Sequence, residues 1–386
     1  MTSIPGSRPA AGLLPPVPEL DPGVLDAHRM AHQHLDDALR AAHPGVAQLI
    51  CRLSLRLTVA AIANVRPSWR GGSRPLTFPP PRAFLGRTDL ARLAGSGAAY
   101  RHVDSRLAMV TQGYEPPPAL RPETPYVLHA LAEGPVGNPM ETNPGMIRGK
   151  EFDGAGLPAS GRPVPSHEDC RALLEEAVRV AADPTAPAVA RAGWILFAAG
   201  EIHPFQDGNG RVARLLYLLV AGEAMPQTVD WGVLEQLRFH EDLLAEAARL
   251  EGVLPTVRVA TELSTAGALL MTERLGVLGA VVPELARRLG LSFEAALLAV
   301  AVWLRRAGPL GELARDLGRP TAEVLGSARA LEAHRLLDRH LGPRLEPSDG
   351  PAFAMAPGAA AEVALLVTAA AGCSAQTVVD SGAALS

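Results

Sequence analysis

The sequence predicts a predominantly α-helical protein with one short hairpin. Three observations carry this. Apolar residues recur at three- and four-residue intervals along most of the 386-residue chain. Aromatic residues make up only 4% while Ala and Leu abound, so the cores are expected to be aliphatic helix packing. The extended reading is confined to a Gly/Pro-rich stretch from Gly145 to Pro165 with short apolar runs.

Residues 1–22 hold several Pro and Gly without periodicity and read as a flexible leader. Residues 23–120 form an N-terminal helical region, with Leu25, His28, His32, Leu35 and Leu39, then Val46, Leu49, Ile50, Leu53, Leu57 and Ala60, at helical spacing. A Pro/Gly/Arg-rich loop spans Pro67 to Pro81, and helical pattern returns at Arg87–Leu93, Tyr100–Met109 and, after a Pro-rich break, Pro125–Ala132. Ser166 reads as a helix cap ahead of Leu173, Leu174 and Val178. Pro187 to Ile202 and Val212 to Ala221 are strongly apolar helices, and 234–251 is amphipathic. Residues 121–255 form the core, 256–350 a helical linker followed by a small domain, and 351–386 a low-complexity tail.

Bulk properties exclude several classes. A hydrophobic share of 48% with a formal charge of -4 describes a soluble globular protein without the field of a bulk nucleic-acid or membrane binder. The basic residues are almost all Arg, with Lys150 the one lysine. Three widely spaced cysteines, Cys51, Cys170 and Cys373, offer neither a disulfide framework nor a local zinc site, which fits a reducing cytoplasm. Met1 to Pro18 lacks the layout of a secretory signal, and Ala354 to Cys373, with Pro357 and Glu362, is a poor membrane span.

The chemistry concentrates in His203-Pro-Phe-Gln-Asp-Gly-Asn-Gly-Arg211, which joins two apolar helices. A helix opening near Gly210 leaves the N–H groups of Gly208, Asn209 and Gly210 unpaired, a ready anion site favoured by the helix dipole. Arg211 and Arg214 share one face of the first turn, and their guanidinium forks suit further phosphate oxygens. Asp207 is an oxygen ligand suited to Mg²⁺. His203 can be neutral near pH 7 and take a proton from a hydroxyl. Base, metal carboxylate, anion nest and two arginines within twelve residues are the parts that phosphoryl or nucleotidyl transfer uses.

This loop, read through Val-Ala-Arg214, resembles the signature of the Fic domain family, and the stretch from Tyr126 to Gly149 is similar to the helix and Pro-Gly-x-x-Arg segment that open the family's target-docking flap. The resemblance covers roughly residues 50–250. It implies an all-α, Fic-type helical bundle with a small β-hairpin flap, about Gly145 to Gly161 with Gly145, Met146, Ile147 and Arg148 at its start. It implies that His203 activates a Ser, Thr or Tyr hydroxyl of a target protein for attack on the α-phosphate of ATP. Asp207 would hold Mg²⁺, Gly208, Asn209 and Gly210 would cradle the phosphates, and Arg211 and Arg214 would meet the β- and γ-phosphates. Gly210, where the Doc-like branch carries Lys, favours AMP transfer. Phe205 is an anchor for the loop. Transfer of UMP, or removal of AMP, is the alternative within catalysis.

Many members also resemble one another in an inhibitory Ser/Thr-x-x-x-Glu-Gly/Asn helix, whose Glu pairs with the second motif arginine. The best-placed stretch here, Val59 to Val65, has Ala63 where that Glu would stand, so Arg214 is expected to lack an internal partner. His129 to Gly134 and Ala247 to Gly252 lack the leading hydroxyl.

Downstream, Phe293–Arg305, Leu310–Leu317 and Thr321–Leu337, with Thr321 as cap and Gly318-Arg319-Pro320 as turn, fit helix-turn-helix packing through Leu313, Ala314, Leu317, Val324, Ala328 and Leu331. The domain resembles a winged helix, with 338–355 as the wing. Arg329, His334 and Arg335 are offset by Glu323 and Glu332, so protein docking or a homo-oligomer contact is favoured over DNA. A nucleotide-sensing, DNA-binding regulator is the alternative from another class.

Overall fold

The computed structural model describes residues 14–64, 87–111, 120–136, 143–152, 164–224, 233–239, 241–250, 252–305, 307–340 and 351–383. The protein is all-α, with one small three-stranded sheet among the described residues. It divides into two compact units, and the helices α1 (Pro22–Ala41), α2 (Pro44–Ile62) and α10 (Val253–Leu289) contribute residues to both.

The first unit is built on α6 (Ala188–Ile202) and α7 (Asn209–Ala221), which pack together and are joined by the motif loop. Both are mostly apolar and almost wholly buried, with Arg191, Arg211 and Arg214 as their buried charges. Trp194, Ile195, Leu215, Leu216, Tyr217 and Leu218 are completely buried. Helices α3 (Arg87–Thr111), α4 (Thr124–Glu133) and α5 (His167–Ala182) pack around this pair. α5 begins where Ser166 accepts a hydrogen bond from the Asp169 amide at 3.3 Å, with Glu168 and Asp169 in the first turn; such a cap contributes about 1 kcal/mol. The described residues of the expected amphipathic stretch 234–251 are helical, as α8 (Val233–Phe239) and α9 (Glu241–Leu250), with residue 240 outside the described residues.

Three further expectations change. α3 is one helix where helical pattern was read in two stretches, Arg87–Leu93 and Tyr100–Met109. Gly95 lies against the Ala132 carbonyl of α4, so the missing side chain serves close helix packing. Residues 14–21 of the expected leader are packed: Leu20 is buried and Trp194 Nε1 donates to the Pro15 carbonyl at 2.9 Å. The expected hairpin is not seen in the described part of the flap, where residues 143–149 carry a turn and Lys150–Phe152 one 3₁₀ turn; residues 153–163 lie outside the described residues.

In the second unit the order is α11 (Phe293–Arg305), β1 (Ala307–Pro309), α12 (Leu310–Leu317), α13 (Thr321–Ala333), β2 (Leu337–His340), β3 (Ala352–Met355) and α14 (Pro357–Ala383). β3 lies between β1 and β2, antiparallel to both, with Ala354 opposite Ala307 and Asp338. Leu313, Ala314, Leu317, Val324, Ala328 and Leu331 are all buried. The cap of α13 is Pro320, not Thr321, because the turn after Gly318 starts the helix one residue early. The tail expected over 351–386 instead forms β3 and α14, with Phe353, Val363 and Val367 buried. Arg305 and Arg56 share the carboxylates of buried Asp316 and partly buried Glu312, at 2.6 Å for Arg305–Asp316 and 2.7 Å for Arg56–Asp316.

By length and composition α2 and α10 would pass for membrane spans, but 61% and 50% of those windows are buried within the protein.

Candidate active site

The site starts from the way α6 ends. His203 caps it in the left-handed conformation, φ 48° and ψ 56°, while its N–H still bonds the Ala199 carbonyl at 3.2 Å. Positive φ is uncommon for a residue with a side chain, and such strain is held only where the surroundings over-determine it. Here they do. The His203 carbonyl accepts from Arg148 Nε at 2.9 Å, and the Pro204 carbonyl accepts the Arg148 N–H at 2.9 Å. Burial lowers the His203 pKa from its ordinary value, with the Arg148 charge acting the same way. The imidazole is therefore neutral near pH 7 and able to accept a proton.

Arg148 is itself buried and clamps the start of the flap onto the motif loop. Its Nη2 also donates to the Pro165 carbonyl and meets Cys170 Sγ at 3.4 Å. Of the other flap residues, Met146 is exposed, Ile147 half-buried, and Gly145 adopts φ 81° with its N–H donated to His129 Nδ1 at 2.8 Å.

Between His203 and α7 the loop is tied from within. Phe205 is fully buried, stacked on the His129 ring at 3.9 Å and edge-on to Tyr126 at 6.1 Å. Asn209 closes it: its Oδ1 accepts from the Phe205 N–H and its Nδ2 donates to the Phe205 carbonyl, both at 2.8 Å. The Asn209 side chain thus shapes the loop, and only its amide is left for an anion. Gly208 takes φ 80° as the residue before α7, a conformation glycine adopts without cost.

Asp207 has a side chain 57% exposed. Its Oδ1 accepts the Gly208 N–H at 2.6 Å and its Oδ2 meets Arg211 Nη2 at 3.2 Å, so one expected phosphate donor is turned onto the protein's own carboxylate. Among the described residues no acceptor is seen for the Asn209 and Gly210 amides. No group of three His, Cys, Asp or Glu surrounds Asp207 among those residues. A single accessible carboxylate still suits Mg²⁺, which keeps several waters and takes its remaining ligands from substrate phosphates.

The two arginines are buried and partnered. Arg211 Nη1 pairs with Glu133 at 2.5 Å. Arg214 Nη2 donates to the Ile62 carbonyl at 3.2 Å, and its Nη1 lies 3.8 Å from Glu241. The expectation that Arg214 lacks an internal partner is corrected on both counts. The alignment behind it fares differently: Ala63 is fully buried one residue past that carbonyl, so the end of α2 does lie against Arg214. Glu251 lies outside the described residues. Gly210 leaves a side-chain position 3.4 Å from Arg214 Nη1 open.

Two residues on α4 were missed. His129 donates Nε2–H to the Asp207 carbonyl at 3.0 Å, the tautomer fixed by the Gly145 N–H on its other nitrogen. Glu133, four residues on and with no exposed surface, holds Arg211. Their signal was present: two ionisable residues at i and i+4 of an otherwise apolar helix.

One loop and the first turn of α7 thus bring together a helix N-terminus, two buried arginines, an accessible carboxylate and a neutral histidine, the parts that phosphate transfer can use. Residues 129–221 match the Fic/DOC family, and the protein carries a domain of that family, whose members transfer nucleotide-phosphate groups onto proteins. Among solved structures, a Fic family protein from Desulfovibrio desulfuricans G20 is 14% identical with TM-score 0.48, over 89% of this chain and 98% of that one. Fic-1 from C. elegans is 20% identical with TM-score 0.42, over 64% and 71%. A Fic domain-containing signaling protein from Bacteroides thetaiotaomicron VPI-5482 is 14% identical with TM-score 0.43, over 64% and 96%. No curated protein matches the chain.

Proposed function

We propose that the protein is an adenylyltransferase that moves AMP from Mg·ATP onto a Ser, Thr or Tyr hydroxyl of a target protein. The observation that carries the reading is the neutral, strained His203 at the mouth of a loop whose far end is the N-terminus of α7.

In this reading the His203 imidazole takes the hydroxyl proton. The freed oxygen forms a bond to the α-phosphorus, the bond from that phosphorus to the β-phosphate oxygen breaks, and pyrophosphate leaves. Mg²⁺ at Asp207 would offset phosphate charge. The Asn209 and Gly210 amides, Arg211 and Arg214 favour the anionic oxygens through charge-assisted hydrogen bonds. The start of the flap, fixed by Arg148 to the carbonyls on either side of the His203–Pro204 peptide, would bring a target strand to that histidine.

Intact-mass spectrometry and peptide mapping after incubation with Mg·ATP test the reading. An AMP adduct on a hydroxyl residue supports it, and a phosphate adduct or none contradicts it. Parallel incubations with UTP, and with an AMP-modified protein, separate UMP transfer and AMP removal.

A second reading draws on the other unit. The order helix, strand, two helices and two strands supports the winged-helix assignment. With Glu323 and Glu332 on α13, we favour protein docking or self-association there. Salt-dependent DNA binding left intact by His203→Ala would favour a DNA-binding regulator instead.

A further inference from the structure

Arg211 has two edges in different surroundings. Nη1 lies in the core against Glu133, which has no solvent exposure, whereas Nη2 faces Asp207, whose side chain is 57% exposed. A carboxylate that competed with a phosphate for this arginine would stand on the open edge. Glu133 stands on the closed one, beneath the loop, so close to Gly208 that a side chain at that position would collide with its carboxylate.

The local chemistry explains why the pair is tight. An isolated buried carboxylate is strongly disfavoured, and burial does push the Glu133 pKa up while the Arg211 charge pulls it back. Arg92 of α3 adds a second favourable charge. Neither Glu133 oxygen has a well-aligned hydrogen bond among the described residues, and Arg211, with Nη1 2.5 Å from Oε1, is the cation paired with this carboxylate there. An arginine held on one edge loses little rotamer freedom when its other edge engages a ligand. One turn earlier on α4, His129 holds the Asp207 carbonyl, so a single helix face sets both the loop backbone and the guanidinium.

We propose that Glu133 is a positioning residue: it fixes Arg211 from the buried side so that the other edge of the guanidinium, which rests on the exposed Asp207, meets the β-phosphate of the nucleotide. The proposal rests on the nucleotide-binding reading of the site, and does not depend on which group is transferred.

Titration calorimetry on the His203→Ala protein, with Mg·ADP and AMP as probes, reads it without turnover. Glu133→Gln keeps the volume and removes the charge. It is expected to weaken Mg·ADP about tenfold, the scale of one charge-assisted hydrogen bond, and to leave AMP, which has no β-phosphate, unchanged. Adding Glu133→Gln to Arg211→Ala is expected to have no further effect on Mg·ADP, because Glu133 acts through that arginine. Unchanged Mg·ADP affinity, equal losses for ADP and AMP, or tighter binding of ADP by Glu133→Gln would each overturn the proposal. Should Glu133→Gln not fold, Glu133→Asp, which withdraws the charge by one methylene, is read by the same criteria. If the parent protein binds neither nucleotide, the site reading itself fails, an outcome separate from any effect of Glu133.

Discussion

Arg214 reaches 3.2 Å from its Nη2 to the carbonyl of Ile62, a residue 152 positions earlier in the chain. The last turn of α2 therefore rests on the second motif arginine, with fully buried Ala63 as the next residue.

Ala63→Glu would place a carboxylate beside that guanidinium, where it would compete with an anionic nucleotide. The expected outcome is at least a tenfold loss of nucleotide-dependent self-modification with little loss of thermal stability, since Arg214 can pair with the new charge. A variant as active as the parent would show that the end of α2 has no say in nucleotide access.

The acid limb of the reaction follows from His203. As base it works only unprotonated, and burial holds its pKa below 6.5. The rate at saturating nucleotide should thus stay flat through neutral pH and fall only on acidification below 6.5. A profile that already declines between pH 8 and 7, as that of a base with a raised pKa would, contradicts the assignment.

Acid also acts on stability. His28, bonded to Ser264 at 3.0 Å, and His129 are both held at about 4 by burial. The unfolded chain takes up these protons from about pH 6.5 downward, whereas the folded protein resists until about 4. Stability is then complete above pH 6.5 and is lost as pH falls towards 4, by roughly 3 kcal/mol for each histidine. Urea melts at pH 7.5 and 4.5 should show the loss, and His28→Gln should reduce it.

In the second unit Asp316, with 2% of its side chain exposed, accepts from Arg305 and Arg56. Asp316→Ala leaves the buried guanidinium of Arg305 and the half-buried one of Arg56 each short of a partner and is expected to cost about 3–5 kcal/mol in chemical denaturation. A change below 1 kcal/mol would mean that solvent reaches the cluster.

The sequence made the motif loop legible because its parts are local: the base, the glycine turn and the arginine pair all fall within one loop and one helical turn. Helix-turn-helix packing could be read for the same reason, from Leu313 to Leu331 at fixed intervals. What could not be read depends on which distant segments meet. No spacing rule brings Ile62 or Glu241 to Arg214. The pattern of α3 read as two stretches, Arg87–Leu93 and Tyr100–Met109, because glycine weakens a helix in isolation, while the packing of Gly95 against Ala132 appears only once α4 is in place. Ala352–Met355 lies within the 338–355 read as a wing, but nothing local shows that it is the central strand, with partners from residues 307–309 and 337–340. Arg148 was read as part of the target-docking flap, and no spacing shows that its guanidinium reaches the carbonyls of His203 and Pro165.

The most direct measurement gives the protein ATP radiolabelled on the α-phosphate in one reaction and on the γ-phosphate in another, each with the parent and with His203→Ala. The account predicts label on protein from the α-position alone, and its loss in His203→Ala. Label arriving from the γ-position, or α-label that persists in His203→Ala, would contradict it.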